Sequence, residues 1–163
     1  MNIINPVLLD NTVLTNFGLA QRPDLPHTLW PNRGCTTLMV MEEYYAGVQG
    51  GGLPEGAWDN LPVLTLSPDE KQWMSNLPVH LGAGEQTCLA VSYLRQGLFA
   101  SDDLRARSMA QNLGVPVVGS VGILILSVRR NMVDQSSAQE LLEQMIASGY
   151  HSPVDDLNNF INK

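Results

Sequence analysis

Acidic residues stand directly after apolar segments at three places in this chain, and their type and spacing could support chemistry. Asp10 closes the segment PVLLD, and Asp102 with Asp103 closes LFASDD. Glu42 and Glu43 follow the apolar residues of TTLMVMEE. In α/β folds, sites form beyond the carboxyl ends of the strands. Acids at predicted strand ends are therefore the strongest candidates for a functional site.

Each of these acids also has a structural interpretation. Aspartate is a favoured helix N-cap, so Asp10 could simply cap the following helix. Asp102 and Asp103 could be one cap and one solvated acid, or they could pair with Arg105 and Arg107. Adjacent carboxylates raise each other's proton affinity unless a cation neutralises them. This repulsion favours a metal ion or a basic partner at the turn that holds both aspartates.

Two further acidic positions have simple structural explanations. Glu85, in GAGEQTCLAVSYL, is predicted in the first turn of a helix, where the helix dipole stabilises a negative charge. The same effect would account for Glu42 and Glu43 at the start of a charged helix. Gly82 and Gly84 could suggest a phosphate-binding loop, but this signal is weak because the Gly-Lys-Ser/Thr ending of that motif is missing.

Other catalytic chemistries are poorly supported. The histidines His27, His80 and His151 are scattered and are interpreted as loop residues. There is no GxSxG motif of the kind that holds a serine nucleophile. The segment DNT, which begins at Asp10, is similar to the start of a phosphatase loop, but it has Thr12 in place of that loop's second aspartate.

The elements that must position these acids are predicted from apolar patterns and end signals. Strands are predicted at 6–9, 36–40, 62–66, 98–101 and 115–118. Helices are predicted over 11–20, as a short helix through Glu43, after Ser67, over 83–96 and before Gly114. Strands that alternate with helices predict a three-layer α/β/α fold with a mainly parallel central sheet.

Two capping boxes are predicted from a serine followed three residues later by a glutamate. They are Ser67 with Glu70 and Ser137 with Glu140. Two or three helices are expected to finish the chain, with Ser152 and Pro153 opening the last one. The glycine-rich stretch 49–60 is expected to be an exposed loop.

Length and composition bound the class of protein. The chain has 163 residues, which suits a single domain over 1–163. A net charge of −7 argues against a broad basic surface for duplex DNA. Two cysteines are too few for a disulfide framework, and the apolar run 121–128 is too short to cross a membrane. The N-terminus lacks the pattern of a signal peptide, so a cytoplasmic location is expected.

Four segments together resemble the PIN-domain family. In order, they are DNTVLTNF, MVMEEYYAGV, GAGEQTCLAVSYL and LFASDDLRARSMAQNLGVPVVGSVGILILSV. They are similar to a branch with a GEAEAI-like helix and a DDRxAR-like turn, and the similarity covers nearly the whole chain. The family's fold is a parallel sheet between helices, in agreement with the pattern of predicted elements.

The resemblance also implies roles for individual residues. The family's first aspartate matches Asp10, and its acid in a helix that ends in glycine matches Glu43, because Gly47 follows at the usual distance. The acid of the GE-type helix matches Glu85. The aspartate that follows a hydroxyl residue at a strand end matches Asp103. These four acids are expected to be catalytic and to bind metal.

The remaining assignments are weaker. Asp102 is expected to be a second contributor to the metal site in this branch. Many relatives have threonine directly after the first aspartate, and Thr12 is expected to serve in its place. The expected substrate contacts are Thr12, Ser101, Arg105 and Arg107, with Arg129 and Arg130 as further candidates for phosphate contacts.

The function implied by the resemblance is hydrolysis of RNA phosphodiester bonds with Mg²⁺ or Mn²⁺ as cofactor. A toxin of a toxin–antitoxin pair is one such role, with an antitoxin protein as partner. Homodimerisation is also expected. The alternative is a non-catalytic PIN-like binding or assembly module. Loss of a site acid would favour that alternative, and no site acid is lost here.

Overall fold

The computed structural model describes residues 2–161, so the first residue and the last two of the predicted 1–163 domain lie outside it. Its strands are β1 (Val7–Leu9), β2 (Gly34–Thr37), β3 (Val63–Leu64), β4 (Leu98–Ala100) and β5 (Val117–Val118). They form one sheet in the order β3-β2-β1-β4-β5, and every neighbouring pair is parallel. The predicted α/β fold with a parallel central sheet is confirmed.

Helices connect the strands and complete the chain. They are α1 (Asn11–Leu19), α2 (Asp24–Leu29), α3 (Leu38–Gln49), α4 (Pro68–Met74), α5 (Ala83–Leu94), α6 (Leu104–Asn112), α7 (Ser120–Arg129), α8 (Gln135–Ala147) and α9 (Asn158–Ile161). None of the helices within residues 2–161 is long and apolar enough to span a membrane.

The first strand is the centre of the molecule. All three of its residues are fully buried, and it pairs with β2 on one side and β4 on the other. A strand buried on both faces is expected to be apolar throughout, as VLL is. Because β1 and β4 are parallel neighbours, the residues that follow Leu9 and Ala100 lie side by side at the carboxyl edge of the sheet.

The second strand is shorter than predicted, which changes the setting of Glu43. The prediction placed a strand at 36–40, but β2 ends at Thr37. The Thr37 hydroxyl accepts a hydrogen bond from the Val40 N–H and caps α3. Glu43 therefore lies in the second turn of α3 and not at the start of a helix.

The end of the chain also differs from the prediction. Asp134, and not Ser137, caps α8, because its carboxylate accepts the Ser137 N–H at 2.7 Å. The predicted second capping box is therefore wrong. The last helix begins at Asn158, whereas Ser152 accepts a hydrogen bond from the Val154 N–H in a local turn. The short helix α2 was not predicted.

The predicted capping box at Ser67 is confirmed, and it carries a second interaction. The Ser67 N–H donates to Glu70 Oε2 at 2.7 Å, and the Glu70 N–H donates to Ser67 Oγ at 3.2 Å. Arg95 also donates to both Glu70 oxygens, at 2.5 and 3.0 Å, and ties α4 to the end of α5. Burial opposes ionisation of Glu70, but the bonds from Arg95 and Ser67 outweigh it and hold its pKa below the usual value.

We expect Arg95→Ala to lower the free energy of unfolding by about 3 kcal/mol at neutral pH, because it leaves a buried carboxylate without its partner. A carboxyl with a depressed pKa contributes stability above its unfolded pKa and loses it as pH falls through the folded value. The deficit of the variant should therefore shrink in urea unfolding experiments as the pH falls through the folded pKa of Glu70. Adding Glu70→Gln should recover part of the loss, and a deficit that does not depend on pH would contradict this account.

Candidate functional site

Asp10 ends β1 and caps α1, so the structural interpretation of this residue is correct. Its Oδ1 accepts the Asn11 N–H at 2.8 Å. Its Oδ2 accepts the Ser101 hydroxyl at 2.7 Å, from the end of the neighbouring strand β4. Only 2% of Asp10 is exposed. The carboxylate is therefore both a helix cap and a buried group shared by two strand ends.

The surroundings of Asp10 disfavour its negative charge. Burial raises its pKa to about 7, against an ordinary value near 3.8. Hydrogen bonds from Ser101 and Asn11 lower the pKa, while the charges of Glu85 and Glu43 raise it further. A cation beside Asp10 would reverse this effect, because an opposite charge favours the ionised form.

Two hydroxyl groups, one from the end of β4 and one from α1, link the turn after β4 to this carboxylate. Ser101 Oγ, which donates to Asp10, also accepts the Asp103 N–H at 3.1 Å. Thr12 Oγ1 accepts the Asp102 N–H at 2.9 Å and lies 3.4 Å from Asp10 Oδ2. Ser101 and Thr12, predicted as substrate contacts, thus hold the two strand ends together around Asp10.

Asp103 follows the adjacent strand β4 and, like Asp10, caps the helix that comes next. One of its oxygens, Oδ1, accepts the Ala106 N–H at 2.9 Å and caps α6. The charge of Asp103 is near enough to raise the pKa of Glu85, after burial, which has the largest effect. Asp103 is therefore electrostatically coupled to Glu85 in the first turn of α5.

Glu43 and Glu85 meet at the N-terminus of α5. The Gly84 N–H donates to Glu43 Oε1 at 3.0 Å, and the Gly82 N–H donates to Glu85 Oε2 at 3.0 Å. A Cβ on Gly84 would lie only 2.7 Å from Glu43 Oε1, so glycine permits this approach. The charge of Glu43 also raises the pKa of Glu85. The four acids implied by the family resemblance therefore lie in one electrostatic neighbourhood.

Asp102 and Arg107, also predicted as site residues, make their contacts with other parts of the protein. The Asp102 carboxylate contacts Asn16, Ser120 and Tyr150, on the side of α1 and α7. Arg107 donates to the Ser101 carbonyl at 2.9 Å, so its guanidinium is part of the protein framework.

Arg105 is exposed on the first turn of α6, and its charge lowers the pKa of Glu85. Its side chain is thus both exposed and close enough to a site acid to affect its pKa. Arg129 and Arg130 donate to the carbonyls of Phe160 and Leu29, away from the acids.

The donor chemistry of the site fits a hydrated divalent ion. The donors are carboxylate and hydroxyl oxygens, which Mg²⁺ and Mn²⁺ prefer. Within residues 2–161, no three acids, histidines or cysteines form a ready-made ligand group. Mg²⁺ does not require such a group, because it keeps several waters and is usually bound by one or two carboxylates.

Local sequence patterns missed the residues that connect the site to the rest of the molecule. Asn16, Ser120 and Tyr150 are 86, 18 and 48 residues from Asp102. No spacing rule links positions so far apart. Gly119 is near these contacts as well, since a Cβ there would lie 2.7 Å from Asp102 Oδ1, but only the structure reveals this close approach.

One comparison with known proteins gives a match. A family model described as a PIN domain matches residues 6–163. Neither the curated proteins nor the solved structures contain a match to the chain.

The raised pKa of Asp10 makes stability depend on pH when divalent metal is absent. Between about pH 4 and 7 the folded state holds a proton that the unfolded state has lost, so stability falls as pH rises. We therefore expect Asp10→Asn to be more stable than the wild type at pH 8, by at most about 4 kcal/mol. The two should differ little near pH 4.

Thermal unfolding followed by circular dichroism in a chelating buffer measures this effect. Glu42→Gln removes one charge from the exposed face of α3 and is the matched control. The same difference between Asp10→Asn and the wild type at both pH values would show that burial of this charge is not the cause.

Proposed function

Since the chain belongs to the PIN-domain family over residues 6–163, we propose that it is a ribonuclease that depends on Mg²⁺ or Mn²⁺. PIN domains are generally nucleases that use divalent metals and act on nucleic acids. The observation that carries the proposal is the buried Asp10, whose pKa of about 7 is raised by burial and then by Glu85 and Glu43. A cation would stabilise the charged form of an acid in such surroundings.

The proposed ligands are the acids that surround the carboxyl ends of β1 and β4. They are Asp10, Glu43, Glu85 and Asp103. They would hold a divalent ion there, which would lower the pKa of a bound water and neutralise charge on the attacked phosphate. Asp10 and Asp103 each use one oxygen to cap a helix, and the second oxygen of Asp10 accepts the Ser101 hydroxyl.

The neighbouring side chains supply orientation. Ser101 donates to Asp10 and accepts from the Asp103 N–H, so it links the Asp10 carboxylate to the backbone of Asp103. Arg105, exposed beside Glu85, is proposed to contact a phosphate of the RNA. Arg107 is proposed to act indirectly, because it holds the carbonyl of Ser101.

The proposed biological setting follows from the family resemblance. RNA is the proposed substrate, and the cytoplasm is the proposed location. A toxin held by an antitoxin protein is the proposed role, and a homodimer is the proposed assembly.

The second candidate function is a non-catalytic binding module. It is supported by the site acids' bonds to protein N–H groups and by the lack of a ready-made ligand group within residues 2–161.

Titration calorimetry with Mn²⁺ tests the metal site first. We expect the wild type to bind Mn²⁺ and the double variant Asp10→Asn, Asp103→Asn to lose the binding, because two proposed ligands become neutral. The matched control is Glu42→Gln with Asp69→Asn, which removes two exposed acids and should preserve binding. Circular dichroism would confirm that both variants remain folded.

Cleavage of single-stranded RNA with Mn²⁺ then tests the reaction. We expect kcat to fall at least about 100-fold in the Asp10→Asn, Asp103→Asn variant and in the presence of a chelator. Metal binding without cleavage of any RNA would favour the non-catalytic module. A wild type that binds no Mn²⁺ would contradict the metallonuclease proposal.

Arg105→Ala should raise the KM for RNA about 5- to 10-fold with little change in kcat, because it removes a phosphate contact that is made equally in the ground state and the transition state. The dependence of log affinity on log salt should weaken by about 0.7 for a single strand. Arg33→Ala is the matched control, since Arg33 precedes β2 at the opposite edge of the sheet and donates to the Asn5 carbonyl. Equal effects of the two substitutions would remove Arg105 from the substrate path.

A further inference from the structure

Asp102 lies between Ser101 and Asp103, but its carboxylate faces another part of the molecule. Ser101 contacts Asp10, and Asp103 caps α6. The carboxylate of Asp102 instead contacts α1, the first residue of α7 and the segment that follows α8. Adjacent acids at the same strand end therefore have different surroundings.

The Asp102 carboxylate has its hydrogen-bonding capacity filled by the protein. Its Oδ1 accepts the Ser120 N–H at 2.7 Å and the Tyr150 hydroxyl at 3.1 Å. Its Oδ2 accepts the Asn16 amide at 3.0 Å and the Ser120 hydroxyl at 2.5 Å. An ionised carboxylate offers about four acceptor sites, so these four bonds occupy it. Direct coordination of a metal would require at least one of them to break.

The backbone at Asp102 is held from the opposite side. Its N–H donates to Thr12 Oγ1, and Thr12 belongs to the first turn of α1, next to Asp10. Gly119 caps α7 without a side chain, and Asp102 supplies the oxygen that the Ser120 N–H needs. The turn between β4 and α6 is therefore fastened to α1 and α7 through one residue.

We propose that Asp102 is a positioning residue that clamps the β4–α6 turn to α1 and α7 and so sets where Ser101 and Asp103 present their oxygens. This inference rests on the proposed function, because it places Asp102 beside the metal site and not in it. The two roles predict opposite effects of removing a donor from Asp102. If Asp102 is a positioning residue, loss of the Tyr150 hydroxyl loosens the turn and weakens metal binding. If Asp102 is a metal ligand, the same loss frees one of its lone pairs and does not weaken metal binding.

Calorimetric titration with Mn²⁺ of Asp102→Asn, Tyr150→Phe and the double variant distinguishes these roles. We expect Asp102→Asn to weaken binding about 10-fold and Tyr150→Phe about threefold, with the double variant no weaker than Asp102→Asn. Tyr93→Phe, on the exposed face of α5, is the matched control and should match the wild type. Unchanged or tighter binding by Tyr150→Phe, together with complete loss in Asp102→Asn, would overturn the clamp.

Amide hydrogen exchange without metal separates this inference from the proposed function. We expect the Ser120 and Asp103 amides to exchange at least about threefold faster in Asp102→Asn and in Tyr150→Phe, while amides of α4 keep their rates. Unchanged exchange at Asp103 would overturn the clamp even if the metal site is real. Faster exchange in a protein that binds no Mn²⁺ would support the clamp and refute the metallonuclease.

Discussion

The Asp10 carboxylate is buried at the carboxyl end of the central strand β1. The arrangement of the site follows from the free energy that burial of this charge costs. Asp10 is only 2% exposed, and burial has the largest effect on its pKa. The Asn11 N–H and the Ser101 hydroxyl offset part of this burial. Glu43 and Glu85 then add like charges nearby. A fold that only had to bury Asp10 would gain stability without these like charges, and the proposed cation would offset them.

Helix N-termini organise the acids, and capping is compatible with a functional role. Asp10 caps α1 and Asp103 caps α6, each through one oxygen. Glu43 and Glu85 accept N–H groups at the start of α5. Capping fixes the rotamer of a side chain that would otherwise be mobile, and it leaves the other oxygen for a second partner. The structural and chemical interpretations of these acids therefore reinforce each other.

The sequence predicted the parts of the site that depend on local patterns. Asp10 and Asp103 were found because an apolar strand followed by an acid delivers a carboxylate to the sheet edge. Glu43 was chosen through the family resemblance, while the local argument for it was wrong, because Thr37 starts α3 earlier than the apolar run suggested. The partners of Asp102 could not be predicted, since α7 and the segment after α8 approach it only through tertiary packing.

The negative charge of the chain constrains how a polyanion could be bound. With a net charge of −7, long-range attraction of RNA by the protein is weak, and screening leaves only contacts within about 8–10 Å effective at physiological salt. Several arginines are already engaged within the protein, among them Arg95 with Glu70 and Arg107 with the Ser101 carbonyl. In the proposed enzyme, the positive charge near the acids would then come mainly from a bound divalent ion, with Arg105 as a local supplement. The affinity of the proposed enzyme for RNA should consequently depend on occupancy by metal more than on its own side chains.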